Sequence, residues 1–158
     1  FTTPPHASAP SRANQSIDAA LTYTYLAHPY PVHAADRLAE ALRNELLEYG
    51  HLLELLRAQQ RMVLEENLME LPENINAVNQ QMRNIVLFRK QREYWREETL
   101  CWLEADADLH WGQMRDLLPT KYQLLFQALV DEINLSLGNI YVLLRQNQQL
   151  NLRALILR

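Results

Sequence analysis

Glycine is almost missing from this chain, with three among 158 residues, and cysteine and long apolar runs are scarcer still. So few glycines exclude a turn-rich all-β fold and a glycine-rich phosphate loop. One cysteine, Cys101, excludes an intrachain disulfide and a cysteine-rich zinc site. It lies in TLCWLE among large apolar neighbours, a setting that predicts an inert, buried thiol. No segment reaches the uninterrupted apolar run of about 20 residues that crosses a bilayer as a helix, so no membrane insertion is expected. Net positive charge is also lacking. A formal charge of −4 argues against a general nucleic-acid binder, because phosphate neutralisation needs basic surface. The amino end, FTTPPHASAP, has neither a starting Met nor the basic-then-apolar layout of a signal peptide. The expectation is a fragment or processed product that acts in the cytoplasm.

What is present is an ordinary globular balance, 48% apolar and 22% charged, in a chain long enough for one domain with its own core. Residues 1–33 stand apart. Prolines at positions 4, 5, 10, 29 and 31 rule out a continuous helix there. Within that segment SIDAALTYTYL reads either as a short helix from Ser16 or, through the alternation Thr22 to Tyr25, as a strand. Its tyrosines and leucines are expected to dock on the helices or on a neighbouring molecule.

From Ala34 the periodicity is helical. Leu42, Leu46, Tyr49, Leu53 and Leu56 recur at steps of four and three, continued by Gln60, Val63 and Asn67. Asp36 suits the first turn, and Pro72 sets an expected end at Leu71, giving a helix over 34–71. A second helix over 73–104 carries Ile75, Val78, Met82, Ile85, Phe88 and Trp95. Its later half, RKQREYWREE, alternates charge sign as a solvated face does. ADADLHWG breaks the pattern, and Pro119 opens a third helix over 119–158. Tyr122, Phe126, Leu129, Ile133, Ile140, Leu143 and Leu150 form its seam, interrupted at Ser136, Asn147 and Asn151. The fold expected is all-α, an elongated antiparallel three-helix bundle with coiled-coil-like packing and an irregular N-terminal segment.

Motifs that carry chemistry are sparse. Glu48 and His51 have the E-x-x-H spacing from which paired di-iron bundles build half a site. No second E-x-x-H occurs, and Asp106 with His110 falls in the apparent linker. His51 belongs rather to a thin second stripe of Leu47, His51, Leu55, Ala58 and Met62, which needs a cover. There is no G-x-S-x-G, Walker or G-x-G-x-x-G sequence. Neighbouring carboxylates such as Glu65 and Glu66 point about 100° apart on a helix. No enzyme, metal or cofactor is expected.

The informative stretch is LSLGNIYVLL, residues 135–144. Apolar side chains surround most of that helix, and two partner helices cover only one side of it. The other side, around Leu137, Tyr141, Leu144, Leu152 and Leu155, is expected to be open to a partner. Gly138 would let another backbone come close, and the terminal NLRALILR adds side chains of the kind used in helix-on-helix recognition.

From about Leu38 to Arg158 the layout resembles the FlgN-type flagellar export chaperones. ALRNELLEYGHLLELLRAQQRMVLEENLMEL is similar to that family's opening leucine- and glutamate-rich helix, and INLSLGNIYVLLRQNQQLNLRAL to its closing apolar helix. ENINAVNQQ stands where the family commonly has an EEK segment. The resemblance implies a cytoplasmic, non-catalytic chaperone of type III flagellar export. It would bind an amphipathic segment of hook–filament junction proteins and present it to the export gate. Carried over by position, the contact residues are Leu137, Tyr141, Leu144, Gln148, Leu152 and Leu155. The competing expectation is a homo-oligomeric coiled-coil scaffold or adaptor, with the same strip joining identical subunits in a homodimer.

Overall fold

The computed structural model describes residues 30–156, with side chains from His33 to Arg153. Four helices follow one another: α1 (Tyr30–Leu64), α2 (Leu71–Trp102), α3 (Trp111–Leu117) and α4 (Thr120–Ile156). The chain is all-helical among the described residues, and none of these helices is long and apolar enough to cross a membrane. The expectations for residues 1–29, a short helix or strand docked elsewhere, lie outside the described residues, as does the side chain of Leu155.

Boundaries depart from the periodicity in three places. Helix α1 starts at Tyr30, with Pro31 in its first turn, where a missing N–H costs nothing. It ends at Leu64 rather than Leu71. There the Asn67 amide donates to the Met62 carbonyl and the Glu66 amide to Val63, while Glu66 takes φ 58°. That is a Schellman closure with glutamate at the left-handed position normally held by glycine. Helix α2 closes the same way: Ala105 bonds to Leu100, Glu104 to Cys101, and Glu104 takes φ 53°. The third departure is α3, seven residues inside what reads as a linker. The Gln113 side chain accepts from the His110 N–H at 3.1 Å, holding an end of α3 that its weak periodicity does not announce.

Helices α2 and α4 each pack along α1 and have no comparable contact with each other. Helix α2 runs against α1, since Asn74 meets Leu55 and Gln81 meets Glu48. Helix α4 runs with it, since Tyr122 meets Asp36 and Asn147 meets Leu56. Three of these four contacts share a device. Buried amides of Asn74, Gln81 and Asn147 donate to α1 backbone carbonyls at 2.9–3.0 Å. Each carbonyl has a second lone pair beyond its helical bond, so the amides pin axial register in a seam that apolar packing alone would let slide.

The core follows the expected seams in outline. Leu42, Tyr49, Leu53 and Leu56 of α1 are buried, as are Tyr122, Phe126, Leu129, Ile133 and Ile140 of α4. Met114 and Leu118 belong to the same buried cluster as Leu38 and Leu100, and the Arg115 guanidinium of α3 bonds to Gln127 of α4. On α2 only Val78 and Ile85 of the expected seam go inside, and Ile75 and Met82 remain exposed. Cys101 is exposed as well, contrary to the buried thiol expected from its neighbours. Thr99 and Leu100 take the inward positions of that turn, and the next residue lies about 100° further round.

Candidate functional site: an apolar furrow between α2 and α4

Because α2 and α4 both lean on α1 and not on each other, they leave a furrow of about 360 Å³ between them. Tyr49 and Leu52 of α1 form its floor. Met82, Ile85 and Val86 of α2 form one wall and Leu137 and Ile140 of α4 the other. The only charged side chains in the lining are Arg83 and Arg89. Met82 and Val86 are nearly half exposed, a cost in water that a covering surface would remove.

Of the strip expected on the last helix, Leu137 lines this furrow, and the other described members lie further along α4. Leu137 and Leu144 are half-buried against the core. Tyr141 is 67% and Leu152 52% exposed, and Gln148 is exposed between them. Spacings of four, three, four and four put these five on one face of α4. A Cβ added at Gly138 would meet nothing within 4 Å, so an approaching backbone would have room there.

Of the α2 wall, the sequence pattern gives Met82 and Ile85 as one inward seam and gives no sign of Val86. Met82 and Val86, at a step of four, form an exposed row rotated from the buried Val78–Ile85 seam.

A polar network anchors one end of the furrow. Glu45 is fully buried on α1, and its Oε1 accepts the Tyr49 hydroxyl at 2.6 Å. The same oxygen lies 3.2 Å from Arg92 and 3.9 Å from Arg89, both of α2. Arg89 Nε donates to the Tyr49 oxygen at 3.0 Å, so the phenol passes one hydrogen bond on and receives another. Burial first, and then the bond to Glu45, pushes the Tyr49 phenol above its usual range, with Arg89 opposing. The bond to Tyr49 raises Arg89 in turn.

Glu48 turns its carboxylate to Gln81, whose Nε2 donates at 2.6 Å, and leaves His51 at 3.6 Å and half exposed. No group of three or more potential ligands occurs among the described residues. Leu47 of the second stripe is exposed.

No family model, curated protein or solved structure matches this chain.

Proposed function

We propose that the chain is an export chaperone of the flagellar type, cytoplasmic and without a catalytic step, that shields an amphipathic segment of a hook–filament junction protein. In this reading α1, α2 and α4 act as an antiparallel three-helix bundle with coiled-coil-like packing, and α3 is a connector. The client segment lies along α4 over Leu137, Tyr141, Leu144, Gln148, Leu152 and Leu155. The observation that carries the reading is the furrow, a ready place for a fourth helix beside an apolar strip with no cover among the described residues. Filling it would exchange exposed apolar surface for buried surface at roughly 25 cal/mol per Å². Ordering the client consumes much of that gain and leaves a complex that can be released at the export gate.

The test is calorimetric titration of the full chain with a purified hook–filament junction protein from a flagellated bacterium. Leu144→Glu and Leu152→Glu are expected to weaken binding at least tenfold with helicity unchanged. Undiminished binding by both variants removes the site. A homo-oligomeric coiled-coil scaffold is the alternative, in which the same strip, exposed at Tyr141 and Leu152, joins identical subunits. A dimer whose light scattering is constant over a dilution series and indifferent to client selects it.

A further inference from the structure

The lining of the furrow has a sign. The chain carries a net charge of −4, yet the furrow holds two arginines and no carboxylate. Arg83 bonds only to the Gln80 side chain, at 2.9 Å. Arg92 draws on both Glu45, at 3.2 Å, and Glu93, at 3.4 Å. Glu93 is itself paired with Arg96 at 3.0 Å, so three arginines share two carboxylates, and Arg89, which reaches buried Glu45 only at 3.9 Å, carries the surplus charge of the cluster. Its orientation is nonetheless set: Nε is spent on the Tyr49 hydroxyl and the guanidinium lies 5.9 Å from the Tyr49 ring centroid. That arrangement leaves the two terminal nitrogens of a half-exposed fork available, and such a fork matches a carboxylate.

We infer that the furrow recognises an acidic amphipathic helix, apolar on the face that enters and carrying Asp or Glu on the flank that meets Arg83 and Arg89. The inference rests on the docking reading above and adds the partner's charge to it. Shape points to a helix: the α4 strip from Leu137 to Leu152 extends about 22 Å at 1.5 Å per residue, some four turns. Composition disfavours the chain's own residues 1–29, which hold one acid, Asp18, against one base, Arg12. A second copy docking by its own furrow would bring like charges together, which costs free energy.

The experiment uses two synthetic 21-residue peptides with leucine at helical a and d positions, one with glutamate on the flanks and its twin with lysine. Fluorescence anisotropy measures each against the full chain and against an Arg83→Gln/Arg89→Gln variant. The acidic peptide is expected to bind at least tenfold tighter than its twin. That gap should shrink with added salt and nearly vanish in the double variant, whose circular dichroism is unchanged. Equal affinity for both peptides overturns the charge preference while leaving the docking reading standing. A gap that survives the double variant also overturns it, because the selectivity then arises elsewhere. Failure of both peptides to bind sinks both readings. Binding that appears only after residues 1–29 are removed, or only from a dissociating dimer, assigns the furrow to the chain itself and overturns the inference.

Discussion

The Tyr122 hydroxyl donates to Asp36 Oδ1 at 2.6 Å, tying the start of α4 to the first turns of α1 across 86 residues of sequence. The phenol is buried while its acceptor is exposed. Burial, then this bond, pushes the Tyr122 phenol up to about 12. An unfolded tyrosine loses its proton near 10. Between those values the folded state holds a proton that the unfolded state has lost, so stability falls as pH rises. The contribution is complete below pH 10 and gone above about 12. Tyr122→Phe is expected to cost about 1–2 kcal/mol at neutral pH, trimmed by solvent around Asp36, and to flatten this alkaline slope. Urea denaturation at pH 8, 10 and 11 measures both, and parallel pH profiles for the two proteins would contradict the assignment.

Glu45 is the buried charge on which two arginines converge, and its Oε2 has no hydrogen-bond partner among the described residues. Glu45→Ala strands Tyr49 and weakens the hold on Arg92, for an expected loss of about 3 kcal/mol. A Glu45→Met/Arg92→Leu pair should recover most of it, since apolar substitutes remove the desolvation cost as well as the attraction. Chemical denaturation of the single and the double variant decides. A single variant within 0.5 kcal/mol of the parent, on the order of the usual surface effect, would show that the network carries little.

Asn147 is buried in the α1–α4 seam, with its amide bonded to the Leu56 carbonyl and to Gln59 and its Oδ1 unpartnered. A lone buried asparagine is a device for register more than for stability. Asn147→Leu should therefore leave thermal stability unchanged or raise it by about 1 kcal/mol, while the distance between spin labels at Glu54 and Gln149 broadens. The measurement needs a Cys101→Ser background, because Cys101 is exposed. A single sharp distance together with marked destabilisation would assign the residue to stability instead.

Glu66 and Glu104 both sit at left-handed positions, φ 58° and 53°, that close α1 and α2. Glycine meets no Cβ penalty there, whereas other residues pay about 1–2 kcal/mol. Glu66→Gly and Glu104→Gly are each expected to stabilise by about 1 kcal/mol, or roughly 2–4 °C in Tm, and to add when combined. Unchanged melting would mean that the glutamate side chains compensate the strain.

Most helical spans were legible because apolar spacing is written along one element. The α4 seam from Tyr122 to Ile140 is buried where periodicity put it, and so is the α1 seam from Leu42 to Leu56 except at half-buried Leu46. The helix ends were less legible. Glu66 closes α1 without glycine, and Pro72 marked the start of the next helix rather than the end of the last. Helix α3 is too short for its period to stand out. The candidate site was legible only in part: Leu137 belongs to the apolar excess read from α4, whereas Met82 reads as an inward seam position, Arg89 as solvated face, and Val86 carries no signal of its own.

The order of residues by itself determined helices throughout the described residues, the inward faces of α1 and α4, and an apolar excess near the carboxyl end, because these depend on spacing within one helix. Only tertiary structure decided that α2 and α4 would both lean on α1 and part from each other, leaving Met82 and Leu137 on opposite banks. Distances between helices are set by how side chains from three elements fill one seam, and no single helix carries that information. The same packing turned Arg89, one charge among many in RKQREYWREE, into a fork held by Tyr49 beside an open furrow.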